Sequence, residues 1–140
     1  MDDDRPTAVS LVRAPGLADA PYAYAATAPA GARLIALAGA CPLGPDGSTL
    51  HPGDPAAQAT VALENLREAL RAAGARLTDV LCTRVLVASD RRADLVAAWD
   101  VVHTGFGDHE VPSTLLGVTV LGYEDQLVEI EAVAAVLDAG

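Results

Sequence analysis

The chain has 140 residues, 51% of them hydrophobic, and 9 Lys and Arg against 19 Asp and Glu give it a net charge of −10. All nine basic side chains are arginines, which excludes chemistry that needs a lysine amine, such as a pyridoxal Schiff base or a phosphate-loop lysine. The acidic balance also argues against a nucleic-acid surface, because contacts to phosphates supply most nonspecific affinity.

The length predicts a single domain over residues 1–140, with residues 1–6 as a flexible tail. Cys41 and Cys82 form no CxxC pair, which is typical of buried free thiols in a reducing compartment. The acidic N-terminus is unlike a secretory signal, and no apolar run approaches the ~18 residues of a membrane span. We therefore expect a cytoplasmic protein without a membrane partner.

The first half of the chain predicts two strands and one helix. Apolar runs at residues 7–12 and 32–41 have strand length, and proline-rich turns fill much of the segment between them. Asp54 and Pro55 predict a helix start, since Asp caps free amides and Pro fits the first helical position. Apolar residues then recur at three- and four-residue steps up to Gly74, the expected end.

The second half predicts a strand, a helix and two more strands. Residues 80–87 are rich in β-branched side chains, and Ser89 or Asp90 caps the following helix. Further strands are predicted over residues 114–121 and 126–136. With one further strand allowed between the first two, the order predicts an α/β domain with two helices on one face of a mixed six-stranded sheet. No helix is left for the other face, so we expect oligomerisation through it.

Five short motifs are individually weak but together distinctive. They are Ala20-Pro21-Tyr22, Ala38-Gly39-Ala40-Cys41-Pro42, Leu63-Glu64-Asn65-Leu66, Ala72-Ala73-Gly74 and Val128-Glu129-Ile130-Glu131-Ala132-Val133-Ala134. With these motifs the chain resembles the Rid (reactive intermediate deaminase, or YjgF) family over about residues 20–135. The resemblance implies a chorismate-mutase-like fold that assembles as a homotrimer, with small-molecule clefts between the subunits. A trimer agrees with the expected uncovered sheet face.

The resemblance also implies a chemistry. In catalytic members an arginine before or in the penultimate strand binds the substrate carboxylate, and a glutamate in the last strand activates water that hydrolyses an imine or enamine. Counted without a gap from Pro112, the arginine position is Thr114 and the glutamate position is Glu129. A hydroxyl cannot replace a bidentate guanidinium, whose charge-assisted hydrogen bonds contribute about 1.5–3 kcal/mol each. The chain therefore resembles a Rid protein that lacks the carboxylate clamp.

Three further positions of the family's cleft carry apolar residues in this chain, namely Ala40, Trp99 and Leu116. Trp99 and Leu116 are candidate ligand contacts, although Trp99 also fits the apolar stripe of its helix. Tyr22 matches a tyrosine at the family's cleft mouth and binds either a ligand or a neighbouring subunit. Tyr123 lies in the last turn, where it either covers an apolar ligand at the cleft rim or is simply exposed.

Two readings of the charged strand residues stay open. Glu129 is either a general base that activates water or a carboxylate that faces the trimer interior and pairs with an arginine. Arg84 lies mid-strand, on the face expected to include Val80 and Cys82. It either forms an ion pair with Glu129 or Glu131, or supplies a relocated anion site for the substrate.

The histidines His51, His103 and His109 have no second ligand at metal-binding spacing, so we predict no metal site and no cofactor. The expected partners are copies of the chain itself and a small molecule. The favoured function is a Rid-like hydrolase of an imine or enamine that needs no carboxylate clamp. A non-catalytic, metabolite-binding or pathway-accessory trimer is the alternative. A ribonuclease is the least favoured function because of the charge.

Overall fold

The computed structural model describes residues 5–138, so residues 1–4 of the predicted tail lie outside the described part, while Arg5 and Pro6 are exposed. The elements in chain order are the strands β1 (Ser10–Val12), β2 (Ala25–Thr27) and β3 (Arg33–Ala36), the helix α1 (Pro55–Ala72), a short 3-10 helix (Leu77–Asp79), the strand β4 (Val80–Val87), the helix α2 (Arg92–Phe106), and the strands β5 (Ser113–Gly117) and β6 (Val128–Val136). The predicted α/β class and its two helices are confirmed.

The strands divide into two sheets. The main sheet has four strands in the order β3-β6-β4-β5, in which β4 and β5 are parallel and the other pairs are antiparallel. The strands β1 and β2 form a separate antiparallel pair. The predicted mixed sheet is therefore present with four strands rather than six, because the two N-terminal strands are only three residues long and pair with each other.

The predicted strand over residues 32–41 ends early, and this break shapes the site described below. Regular pairing of β3 with β6 stops at Ala36, opposite Val133. The chain returns to β6 only at Ala40, whose amide donates to the Ile130 carbonyl at 2.7 Å and whose carbonyl accepts from the Ile130 amide at 3.0 Å. Gly39 lies in the gap between the two pairing regions.

Helix α1 begins and ends as its sequence predicts. The Asp54 side chain accepts a hydrogen bond from the Ala57 amide at 3.0 Å, which satisfies one of the free donors of the first turn. Gly74 follows the helix with a φ of 82°, a conformation that favours glycine. The buried side of α1 includes Leu66 and Leu70, both fully buried.

Helix α2 differs from the prediction at its start. Arg91 holds the capping position without a side-chain cap, while the Ser89 hydroxyl accepts from the Arg91 amide at 3.0 Å and donates to Asp94 at 2.7 Å. The two helices approach closely at Gly105, where a Cβ atom would lie 2.1 Å from a methyl carbon of Leu63. Glycine is therefore required there for the helices to pack.

The helices cover one face of the main sheet and leave the other uncovered. Buried side chains on the covered face include Val85 and Ile130, both fully buried. The opposite face, called the open face here, carries Leu34, Cys82, Arg84, Thr114, Leu116, Glu129, Glu131 and Val133. Leu34 is 69% exposed there and Leu116 is 39% exposed. No helix within residues 5–138 combines the length and apolar character needed to cross a membrane.

Candidate functional site

A cavity of about 630 Å³ opens on the open face, between the Tyr22–Tyr24 segment and strands β3 to β6. Its polar and aromatic lining consists of Tyr22, Tyr24, Thr83, Arg84, Ser113, Thr114, Glu129 and Glu131. Small residues, among them Ala36, Gly39, Cys82 and Ala132, complete the wall. The structure thus brings together four of the predicted site residues: Tyr22, Arg84, Thr114 and Glu129.

Glu129 is half-buried on β6, and neutral donors hold one of its carboxylate oxygens. The Cys41 thiol lies 3.2 Å from Oε1, and the Gln126 side-chain amide lies 3.3 Å from the same atom. Gln126 is buried in the turn before β6, where its amide also donates to the Val128 carbonyl at 3.1 Å. No donor among residues 5–138 reaches Oε2 of Glu129, so this oxygen is available to a ligand or a water molecule.

The break in β3 makes room for this carboxylate. A Cβ atom on Gly39 would lie 2.6 Å from Oε2 of Glu129 and 3.0 Å from its Cγ. Real Cβ atoms do not approach other atoms so closely, so the observed position of the Glu129 side chain requires glycine at residue 39. Gly39 therefore shapes the site although it carries no functional group.

The Cys41 thiol stays protonated at neutral pH. Burial, together with the hydrogen bond to the Glu129 carboxylate and its negative charge, raises the pKa of Cys41 to about 11. A protonated thiol donates to Oε1 and is a poor nucleophile. The prediction of an inert thiol agrees with this, but Cys41 is half-buried and Cys82 is exposed, so the prediction of two buried cysteines is wrong for Cys82.

Arg84 forms its ion pair with Glu131, one of the two partners expected from the sequence. The two residues lie directly opposite each other on β4 and β6. Nη2 of Arg84 lies 2.9 Å from Oε2 of Glu131, and Nε donates to the same oxygen at 3.1 Å. No arginine among the described residues pairs with Glu129 within this chain, and pairing of Glu129 with an arginine of another subunit stays a prediction.

The face assigned to Arg84 also needs correction. Cys82 and Arg84 both lie on the open face, but Val80 is fully buried. A register shift between Val80 and Cys82 in the pairing with β6 accounts for the difference. A bulge of this kind interrupts the alternation of side chains along a strand, so residues on either side of it no longer follow one period.

Thr114 lies next to Arg84 across the parallel strands β4 and β5. Thr114 is exposed and lines the cavity, whereas the neighbouring Ser113 hydroxyl is already within 2.7 Å of the Thr83 hydroxyl. Thr114 therefore offers a neutral side chain at this point of the cavity wall, and its register partner on the adjacent strand is the guanidinium-bearing Arg84.

Aromatic rings form the wall on the side of the N-terminal segment. The Tyr22 ring meets the Tyr24 ring edge to face at 5.7 Å and the Trp99 ring at 6.4 Å. Trp99 in turn stacks on His103, with the ring centroids 5.6 Å apart. Trp99 thus packs against Tyr22 without lining the cavity itself. Arg13 fixes the segment by donating to the Tyr22 carbonyl at 2.7 Å.

Two other predicted ligand contacts lie apart from this cavity in the single chain. Leu116 lies two residues beyond Thr114 on the open face, and Tyr123 is 51% exposed in the turn before β6. The Tyr123 amide donates to the Gln126 side chain at 3.1 Å, which connects that turn to Glu129. Ligand binding by Leu116, Tyr123 and Trp99 stays a prediction.

Two residues whose contacts with Glu129 the sequence does not predict complete its surroundings. Residue Gln126 begins a predicted strand, and Cys41 is predicted only as a buried free thiol. The one local signal for the role of Gln126 is that its polar side chain lies three residues before the candidate catalytic Glu129. In the part of the chain that the structure describes, no three His, Cys, Asp or Glu side chains gather as a metal site would require.

Comparisons with known proteins place the chain in one family. The family model described as Endoribonuclease L-PSP matches residues 14–136. YyfB from Yersinia pestis, a Rid-family protein of unknown function, is 27% identical with a TM-score of 0.84, over 93% of this chain and 100% of that one. Rv2704 from Mycobacterium tuberculosis, described as a member of the highly conserved YjgF/YER057c/UK114 family, is 30% identical with a TM-score of 0.63, over 91% and 99%.

YyfA from Yersinia pestis, also described as a Rid-family protein of unknown function, is 25% identical with a TM-score of 0.65, over 92% of this chain and 100% of that one. Among curated protein sequences, none matches the chain. The matched span includes the whole range of the predicted resemblance, and the solved structures share the architecture described above. The chain therefore belongs to the Rid (YjgF) family, whose matching model bears the description Endoribonuclease L-PSP.

Proposed function

We propose that this protein hydrolyses an imine or enamine, with Glu129 as the residue that activates water. The observation that carries the proposal is the state of the Glu129 carboxylate. Cys41 and Gln126 fix Oε1, while Oε2 has no donor among the described residues and lies beside the cavity. A carboxylate held in this way can accept a proton from a water molecule in the cavity.

The reaction is the addition of water to a carbon–nitrogen double bond. A protonated imine R₂C=NH₂⁺ and water give R₂C=O and NH₄⁺. As the oxygen of water bonds to the imine carbon, Oε2 of Glu129 accepts a proton from that water. That proton then passes to the nitrogen, which leaves as ammonia with the electron pair of the broken carbon–nitrogen bond. The remaining hydroxyl proton moves to the ammonia as the carbonyl forms, which gives R₂C=O and NH₄⁺. Proton transfer by a correctly positioned carboxylate typically accelerates a reaction about 10²–10⁴-fold.

The substrate in this proposal needs no carboxylate. Thr114 offers one neutral hydroxyl in place of a guanidinium, so a carboxylate there gains one hydrogen bond instead of a bidentate, charge-assisted pair. Thr114 is instead suited to a neutral polar group of the substrate. Tyr22 supplies an amphipathic wall, and Arg84 contributes to the site through its pair with Glu131.

We further propose that the working form is a homotrimer assembled through the open face. The support is the exposure of apolar side chains on a sheet face that no helix covers, with Leu34 at 69% and Val133 at 37%. Solvent-exposed apolar patches of this kind mark association surfaces. A mass three times that of the chain in light scattering is the expected result. We expect the trimer to act in the cytoplasm, and cell fractionation tests this.

The decisive experiment compares two imine classes. An amino-acid oxidase generates imines with a carboxylate and an amine oxidase generates imines without one, and ammonia release is followed with and without this protein. We expect acceleration for the second class, and a loss of about 10²–10⁴-fold for Glu129→Gln. Glu124→Gln removes the same charge from an exposed turn residue outside the cavity and serves as the control.

The alternative is a non-catalytic trimer that binds a metabolite or assists a pathway, and Thr114 is the observation that favours it. Unaccelerated hydrolysis of both imine classes, together with ligand binding in the cavity, would establish it. Thr114→Arg restores the missing guanidinium and should create binding of 2-oxobutyrate if the cleft has otherwise kept its shape. Ribonuclease activity, which the description of the family model names, is disfavoured by the net charge of −10.

A further inference from the structure

The charges around the cavity indicate what kind of ligand it accepts. Among the described residues that line it, three are charged: Arg84, Glu129 and Glu131. The lining thus holds one positive and two negative side chains. An empty cavity with this balance repels an anion and attracts a cation, and the net charge of −10 of the chain acts in the same direction.

The Nε–Nη2 edge of the single guanidinium is already engaged. Both Nε and Nη2 of Arg84 contact Oε2 of Glu131, at 3.1 Å and 2.9 Å. A ligand carboxylate could use both of these donors only by displacing Glu131, which would leave that carboxylate unpaired beside Glu129. The charges of Arg84 and Glu131 therefore cancel within the cavity. Among the described residues that line it, Glu129 is then the charged side chain without a counter-ion.

The Glu129 carboxylate also keeps one oxygen, Oε2, available for a ligand in the cavity. Its two partners, Cys41 and Gln126, are neutral donors, and both contact Oε1. They orient the carboxylate without neutralising it, because a thiol with a raised pKa and an amide carry no charge. Oε2 keeps its acceptor capacity on the side of Gly39, which lines the cavity.

The aromatic wall supplies a second attraction for the same kind of ligand. Tyr22 and Tyr24 line the cavity together with Glu129, and the π-face of a tyrosine attracts organic cations. Alkyl groups next to a cationic nitrogen also gain from contact with aromatic rings, whereas hydrated inorganic cations do not. Aromatic rings beside one uncompensated carboxylate are suited to an organic ammonium or iminium group.

We propose that this cavity selects an organic cation, a protonated amine or iminium, whose N–H group donates to Oε2 of Glu129. The inference rests on the proposed function and extends it by naming the substrate class. An iminium is the protonated form of an imine and the form whose carbon water attacks most readily. A cavity selective for cations therefore concentrates the reactive protonation state and excludes substrates that carry a carboxylate.

The test uses a matched pair of probes, n-butylammonium and butanoate, titrated into the assembled protein and followed by amide NMR shifts. We expect n-butylammonium to bind at least tenfold more tightly than butanoate and to shift the amide signals of Gly39 and Tyr22. Glu129→Gln should weaken the binding of n-butylammonium about tenfold or more, while Glu124→Gln should change it less than twofold.

The Arg84→Met variant distinguishes a cation site at Glu129 from an anion site at Arg84. With the guanidinium removed, Glu131 loses its counter-ion, so n-butylammonium should bind more tightly than in the unaltered protein. Tighter binding of butanoate than of n-butylammonium, abolished by Arg84→Met, would show an anion site at Arg84 and overturn the inference. An unchanged amide spectrum away from the cavity shows that the variant is folded.

The outcomes also separate this inference from the proposed reaction. Binding of n-butylammonium at Glu129 without acceleration of any imine hydrolysis supports the cation site and overturns the hydrolase. Acceleration confined to imines with a carboxylate, with tight binding of butanoate, supports the hydrolase and overturns the cation site.

Discussion

Gly39 offers a direct test of how the Glu129 carboxylate is held in place. In Gly39→Ala the new methyl group would lie 2.6 Å from Oε2, 2.7 Å from Cδ and 3.0 Å from Cγ of Glu129. Three atoms of one side chain are too close, so rotating the carboxylate alone does not relieve the contact. The whole Glu129 side chain must move away from Cys41 and Gln126.

The expected cost follows from those two hydrogen bonds. A hydrogen bond to a charged group contributes about 1.5–3 kcal/mol, and we expect at least one of the bonds to Oε1 of Glu129 to be lost. Replacing Gly by Ala also stabilises a protein by about 0.4–1 kcal/mol where the backbone tolerates it, because the unfolded chain loses freedom. Gly39 has no positive φ, so Gly39→Ala should lower the free energy of unfolding by about 0.5–2.5 kcal/mol.

The sign of the effect should reverse when Glu129 is truncated. In a Glu129→Ala background the clash is absent, so Gly39→Ala should be neutral or stabilise by about 0.4–1 kcal/mol. Urea unfolding of the four proteins in this double-mutant cycle measures the coupling, expected at about 1.5–3 kcal/mol. Additivity of the two substitutions within about 0.5 kcal/mol would refute the reasoning, because independent sites behave in that way.

Four further predictions concern residues around the site and the first helix. In a Cys82→Ser variant, alkylation of Cys41 should accelerate about tenfold per pH unit until its pKa of about 11; a plateau below pH 10 contradicts this. The pKa of Cys41 exceeds the ordinary value of 9.0, so the thiol's contribution to stability is complete below pH 9 and declines as the pH rises through 11. In Cys41→Ala, the free energy of unfolding in urea should therefore vary less over this pH range. Arg84→Met with Glu131→Gln should change stability by less than about 1 kcal/mol, since the pair is exposed, and a larger loss refutes this. Asp54→Ala should cost about 1 kcal/mol in thermal unfolding, and an unchanged midpoint would argue against the cap.

Local signals are sufficient for the bounds of helix α1. The cap at Asp54 and the stop at Gly74 both depend on residues next to each other in sequence, so the bounds of α1 could be read directly. The start of α2 was harder to predict, because both Ser89 and Asp90 can cap. Only the structure shows that Ser89 accepts from the Arg91 amide.

The sheet could be predicted only in part, because pairing between strands is not a local property. Strand-like runs mark every strand except β2, but nothing in the run over residues 7–12 shows that it pairs with residues 25–27 instead of joining the main sheet. The register shift after Val80 was likewise invisible, since a bulge depends on the partner strand. The face assigned to Val80 was wrong for that reason.

The candidate site, like the sheet, could be predicted only in part. The ion pair of Arg84 with Glu131 was one of two pairings that the sequence predicted, and Glu129 was singled out through the family resemblance. The contacts that hold Glu129 were missed, because Cys41 precedes it by 88 residues and reaches it only through the break in β3. Cys82 was expected to be buried because cysteines usually are, yet it lies on a sheet face that this single chain leaves uncovered.

The position of β5 at the end of the sheet links ligand binding to association. Within residues 5–138, β5 has a strand on one side only, and a free strand edge can receive another chain. This strand also carries Thr114 in the cavity wall. A chain that pairs with β5 and moves Thr114 would change the affinity of the cavity for its ligand, and by reciprocity the ligand would change the affinity for that chain. If that chain is a second copy of this protein, the apparent dissociation constant of the ligand would vary with the protein concentration.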